Sequence, residues 1–236
     1  EKKTFAQRIM HMFLHQNKIK MAGIILFAIG SIVLLIGSWL HMVPFSITED
    51  LGFITGALTV WLTVVENIWT FPVGIVNNLF FFVLFLHAGL FAAMSLQIIY
   101  IILSLQGWSL WTRRRKNKTV LHISNVASKE LCILAGITLI AICITLLYLQ
   151  KIQDAAPLWD AITTVLSLVA QYMLNKKLLE NWYVWIIADI IYIPMYAFGH
   201  LYLTSIVYLT FLIMSFVGLL VWRRSKMKVH ARGGYV

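Results

Sequence analysis

Five residues between positions 182 and 196 carry chemistry that packing alone does not need. Trp182, Trp185, Asp189, Tyr192 and Tyr196 fall at i, i+3, i+7, i+10 and i+14, so a helix presents all five on one face. A face turned to lipid is Leu, Ile and Val, with aromatic residues held to its ends. A carboxylate inside such a segment has to look into protein or water. The plainer readings are a Trp182 in an interfacial aromatic belt and an Asp189 that only hydrogen-bonds a neighbouring helix. That both share one stripe favours a binding face.

A second stripe, Gln97, Tyr100 and Ser104 at i, i+3 and i+7, puts an amide near the level of Asp189. Its plain reading is interhelical glue. Asn67, Gly74 and Asn78 give polar or small positions on a roughly common side of another segment, and Asn181 heads the first stripe. Pro72 and Pro194 are placed to kink their segments. Indole faces, one carboxylate and several amides make a pocket for a flat ring with a hydroxylated tail. A cationic ring binds Trp faces by cation–π attraction, with Asp189 taking hydroxyls or balancing charge. The candidate substrate-binding residues are therefore Trp182, Trp185, Asp189, Gln97, Tyr100, Tyr192, Asn181 and Asn78. Glu66, Asn67 and Glu180, near the inner face, are candidates for an inner gate.

The elements that must position these residues are membrane spans. The chain has 236 residues, 61% apolar and 12% charged, where a soluble domain carries about a quarter charged residues. Such a chain has lipid as its solvent. A span needs about 20 mostly apolar residues, and 17 can suffice. Eight segments qualify: 21–43, 50–66, 68–87, 90–111, 131–150, 158–175, 182–199 and 202–222. Period-two alternation is absent, which argues for an all-α polytopic protein against a barrel. With the N-terminus inside and eight spans alternating, 18 of the 19 Lys and Arg residues fall inside, and only Lys151 falls outside. The positive-inside rule favours that arrangement, with both ends cytoplasmic in the inner (plasma) membrane. Asp189 lies seven residues into its span, about 10 Å deep and close to mid-bilayer.

The expected organisation is a basic amphipathic segment 1–20 on the membrane, an extra span 21–43, a three-helix unit 50–111, a basic cytoplasmic loop 112–130, a linking span 131–150, a second unit 158–222 and a basic tail 223–236. A repeat supports it. Glu66-Asn67 matches Glu180-Asn181, and Trp111 before Arg113 matches Trp222 before Arg223. The distance to the Trp is 45 residues in one copy and 42 in the other, so one small gap is needed. Equivalent helices are four crossings apart, so the units are parallel, with a site near mid-membrane between them.

Other classes fit less well. The net charge of +10 sits mostly in short loops and tails, where it sets orientation, so nucleic acid is not an expected partner. Cys132 and Cys143 are eleven residues apart on one segment, about 16 Å along a helix and too far for a disulfide. No His/Cys/Asp group has metal-ligand spacing, and His11 and His15 have no third ligand. No cofactor is expected. No motif assembles Ser, His and Asp as a nucleophile, which counts against a membrane-embedded enzyme. A scaffold would leave Asp189 without a purpose. There is no P-loop and no Lys or Arg deep in a span, so passive transport is expected.

Two stretches resemble the Pnu vitamin transporters. One is Gly89-Leu-Phe-Ala-Ala-Met94-Ser-Leu-Gln97-Ile-Ile-Tyr100 followed by Gly107-Trp108 and Trp111; the other is Asn181-Trp182-Tyr-Val-Trp185-Ile-Ile-Ala-Asp189-Ile-Ile-Tyr192. The resemblance covers roughly 50–225 and is strongest to the nicotinamide riboside carriers. One departure lies in the first stretch, where the family usually has an acidic residue and this chain has Ala93 before Met94. The resemblance implies a SWEET-like fold of three plus one plus three helices and uptake of nicotinamide riboside, the vitamin B3 precursor, by facilitated diffusion. It also implies trapping by a cytoplasmic kinase that needs no direct contact. Relatives carry thiamine or riboflavin, so those vitamins are the alternatives. A homo-oligomer, with a trimer as the guess, is the expected assembly.

Overall fold

The computed structural model describes residues 47–87, 91–116, 121–153, 156–199 and 202–233. The expected amphipathic segment 1–20 and span 21–43 lie outside them. The contact pattern divides the chain into residues 1–54 and 55–236. The first contributes the opening of helix α1 to the description, and the second holds the rest.

Seven described helices follow one another: α1 (Ile47–Val64), α2 (Thr70–His87), α3 (Phe91–Lys116), α4 (Ser128–Lys151), α5 (Pro157–Asn175), α6 (Asn181–Phe198) and α7 (Tyr202–Gly233). Four of them contain stretches long and apolar enough to cross a membrane: Thr70–His87, Met94–Arg113, Ser128–Lys151 and Thr204–Met227. The protein is an integral membrane protein of helices. Neighbours pack as α2 on α3, α3 on α5, α4 on α5, α5 on α6 and α6 on α7.

Two expected ends move. Helix α3 runs past Trp111 to Lys116, and α7 runs past Trp222 to Gly233, so the loop 112–130 and the tail 223–236 both begin as helix. Arg and Lys propagate a helix well, and their charge suits its C-terminal end. The described remainder of the loop, ahead of α4, is extended. Ser124 N–H donates to Lys177 O, and Leu179 N–H to Ser124 O, so the segment is fastened to the α5–α6 turn.

Helix α4 is Leu and Ile on every side, and Leu149 is its one buried residue among those described. Helices α5 and α6 are the reverse. Eight residues of α5 are buried, among them Thr163, Ser167 and Asn175, and α6 buries Asn181, Trp182, Ile186, Ala188 and Asp189. Polar side chains inside a membrane protein need partners, so the interior lies where these two helices meet α1, α2, α3 and α7.

The turns after α1 and α5 are built alike. In the first, Val65 N–H bonds Trp61 O, Glu66 N–H bonds Thr63 O, and Asn67 N–H bonds Leu62 O. In the second, Lys176 bonds Tyr172, Lys177 bonds Leu174 and Leu178 bonds Met173 in the same pattern. Each set is a Schellman closure with its left-handed position at Glu66 or Lys177, both at φ 55°. Glycine is usual there, and another residue costs about 1–2 kcal/mol. The two positions are 111 residues apart. The same shift carries Gly107 onto Gly218 and Trp111 onto Trp222 with no gap. Hydrogen bonds thus pair Glu66 with Lys177, three residues from the expected Glu180. The Glu-Asn pair recurs by residue type at places where the backbone differs, left-handed at Glu66 and right-handed at Glu180.

Candidate functional site

The two equivalent tryptophans cross over. Trp111 Nε1–H donates to Asn175 O at the end of α5 (3.1 Å), and Trp222 Nε1–H donates to Thr63 O at the end of α1 (3.1 Å). Trp111 meets Phe71 edge to face at 5.0 Å, and Trp222 meets Trp182 edge to face at 5.4 Å. Gly107 and Gly218 let these rings in. A Cβ on Gly107 would come well inside 3.0 Å of Phe71 and Asn175, and one on Gly218 would do so against the Trp182 indole. Asn175 also donates to Leu103 O (2.8 Å) and accepts from Gln171 (3.2 Å), which pins α5 to α3.

Trp182 is thereby enclosed. It is 1% exposed, in a cluster with Val64, Ile123, Leu179, Ile186, Leu219 and Trp222. Its Nε1–H finds no acceptor among the described residues, and the Oδ1 of adjacent Asn181 finds no donor. The Asn181 amide donates to Leu178 O at 2.6 Å. Two orphaned polar atoms on adjacent residues are costly, since each forfeits about 1–3 kcal/mol when left without a partner. Trp185, one turn on, is half-buried.

Asp189 lies further along α6, 3% exposed, and accepts from Ser215 Oγ of α7 at 3.2 Å. Beyond it stands a cluster of rings. Tyr192 and Tyr196 stack at 5.8 Å, and Tyr208 of α7 lies 4.4 Å from Tyr192 and 5.1 Å from Tyr196, with Phe211 at its edge. The hydroxyls continue into α5 and α3. Thr163 and Ser167 of α5 lie close to the Tyr192 hydroxyl, Ser167 also neighbours Tyr100, and the Tyr208 and Tyr196 hydroxyls are neighbours. The structure thus brings Tyr100 and Tyr192 together. Gln97 is buried on α3, one turn before Tyr100. Asn78 is half-buried on α2, 111 positions before Asp189; its neighbour Asn77 donates to Thr55 Oγ1 at 3.0 Å.

The candidate gate residues divide. Glu66 reaches across the molecule to Lys177, with Nζ to Oε2 at 2.8 Å. Glu180 accepts from Val126 N–H (2.9 Å) and so holds the extended segment. Asn67 is exposed and accepts from Trp69 N–H in a local turn (3.0 Å). Nearby, Lys176 pairs with Glu130 at 2.6 Å, and that hydrogen bond raises the lysine pKa above its ordinary value. Arg223 bonds the Tyr183 hydroxyl and Lys226 bonds Asn125. These basic residues therefore gather at one end.

Reading the sequence missed Lys177, Ser215, Tyr208, Thr163, Ser167 and Asn175. A signal existed for two of these. Tyr208, Phe211 and Ser215 have the i, i+3, i+7 spacing of Gln97, Tyr100 and Ser104, and follow them by the same shift that carries Glu66 onto Lys177.

Residues 46–224 match the family model described as nicotinamide mononucleotide transporter. The nicotinamide riboside transporter PnuC of Escherichia coli (strain K12) is 27% identical over 203 residues, 75% of this chain and 85% of that protein. The riboflavin/roseoflavin transporter RibM of Streptomyces davaonensis is 24% identical over 153 residues, 63% of this chain and 71% of that one. A solved structure, described as the crystal structure of the vitamin B3 transporter PnuC, superposes with a TM-score of 0.71 over 89% of this chain and 92% of that chain, at 18% identity, and shares the fold. With three-quarters of its length in the match, the chain belongs to the nicotinamide mononucleotide transporter family.

Proposed function

We propose that the protein is a transporter that takes up nicotinamide riboside by facilitated diffusion across the inner membrane. Its basic end is cytoplasmic, with both termini on that side, and a kinase there traps the product. Helices α1–α3 and α5–α7 act as parallel repeats joined by α4, with the substrate held between them. Three features support the site. Asp189 is a buried carboxylate at mid-helix, the Tyr100–Tyr192–Tyr196–Tyr208 cluster lines its outer side, and Asn181 Oδ1 and Trp182 Nε1 are buried without partners among the described residues. The orphaned pair carries most weight, because a bound ligand or a shifted helix would satisfy both atoms. Trp185, Gln97 and Asn78 complete the lining. A pyridinium ring suits indole faces, and ribose hydroxyls suit a carboxylate and amides.

The likeness to RibM favours one second reading, a carrier of riboflavin. Isothermal titration of the purified protein with nicotinamide riboside, thiamine and riboflavin separates the two. Heat of binding with nicotinamide riboside alone is the expected result. Binding of riboflavin alone would replace the first reading with the second.

A further inference from the structure

Glu66 and Lys177 occupy the same place in the two halves. Each is the left-handed residue of its Schellman turn, each has φ 55°, and each sits within a matching set of hydrogen bonds. Neither is the glycine that such a position favours. Residues kept in a costly conformation cluster where a protein needs a particular side chain in a particular place. Here the side chains carry opposite charges and meet at 2.8 Å. The Lys177 ammonium also lies 4.3 Å above the Trp111 ring, the same indole that ties α3 to α5. The pair is mostly covered, with side-chain exposures of 11% for Lys177 and 27% for Glu66, so water screens it less than a surface pair.

The neighbouring charges do different work. Lys176 turns to Glu130 of α4, Glu180 to the 121–127 segment, and Arg223 to Tyr183 of α6. Among the described residues, Glu66–Lys177 is the one ion pair between the α1–α2 turn and the α5–α6 turn. The indole bonds recur once in each direction, as packing between like halves would have them. The charge pair occurs once and is asymmetric. Opposite charges on equivalent positions pull the turns together; like charges would drive them apart.

We infer that Glu66 and Lys177 form a latch that closes the cytoplasmic end between the two halves, so that substrate leaves to the inside only when this pair separates. The inference rests on the transporter reading above. Lys177 acts through Glu66 and touches no substrate. A latch of this kind biases the population of inward-closed protein, and a ligand that needs this state binds more weakly when it is depleted.

The test uses the full chain in sealed, oriented vesicles, with radiolabelled nicotinamide riboside added on one face at a time and the membrane potential clamped at zero. In Lys177→Met, the half-saturating concentration at the outer face should rise about fivefold, as loss of a partly screened pair allows. At the inner face it should not rise. The swapped protein, Glu66→Lys with Lys177→Glu, should return the outer value to within about twofold of the starting protein. A purely structural role would lower the maximal rate on both faces equally and leave the two half-saturation values together, which overturns the latch. So does a swap that restores nothing while the protein still folds and binds. A wild-type chain that carries no nicotinamide riboside defeats the transporter reading instead, which keeps the two failures apart.

Discussion

The α1–α3 region and the α5–α7 region have matching turns at Glu66 and Lys177 and differ in chemistry. Where the side chains agree, they build the crossing of the helices. Trp111 and Trp222 donate to carbonyls of the opposite half, Gly107 and Gly218 make room for a ring, and Ser104 and Ser215 are both buried. Where they disagree, polarity or charge changes: Asn78 against Asp189, Glu66 against Lys177, Phe71 against Trp182. A scaffold gains from repetition, because one solution to a packing problem serves twice. A site for an unsymmetrical solute cannot be symmetrical, so the positions that break the repeat are the functional candidates.

The strongest way to break that comparison is to erase its central difference. Asp189→Asn gives the second half the amide that Asn78 gives the first, and removes the charge. Hydrogen bonds to a charged group are worth about 1.5–3 kcal/mol, so affinity for nicotinamide riboside should fall tenfold or more by titration. Unchanged affinity would assign Asp189 to helix packing through Ser215. A second change attacks what the halves share. Gly218→Ala places a methyl against Trp182, and overpacking costs about 1–3 kcal/mol; Gly107→Ala should cost a similar amount against Phe71 and Asn175. Thermal unfolding in detergent measures both. A neutral Gly218→Ala would show that Trp182 is free to move aside. The smallest effect sharpens the symmetry itself. Trp111→Phe and Trp222→Phe each delete one indole hydrogen bond, worth roughly 0.5–1.5 kcal/mol. Near-equal losses in unfolding are expected, and a several-fold imbalance would mean that one crossing carries the contact between halves.

Much of this is legible without coordinates. Apart from the longer end of α3, the spans expected for α2 through α6 lie close to the observed helices, because the burial of apolar residues in lipid follows composition over a window. The stripe on α6 is legible because helical spacing puts Asp189, Tyr192 and Tyr196 on one face. The shared spacing of Gln97–Ser104 and Tyr208–Ser215 is also there to be read, but needs the right shift. That shift is fixed by hydrogen bonds at Glu66 and Lys177, and no residue identity marks them. The Glu-Asn pair, identical by type, points three residues away.

The sequence alone determined the solvent of this protein, where its described apolar segments lie and the chemistry available on each. Those depend on composition and on contacts between residues close in the chain. Only the tertiary structure decided which groups meet: Ser215 with Asp189, Tyr208 with Tyr192, Trp222 with Thr63, and Lys177 with Glu66 from the far half of the chain. Such meetings are set by how helices cross, and a crossing depends on where small residues such as Gly107 and Gly218 let a large ring approach. Local spacing along one helix holds no record of the surface that packs against it.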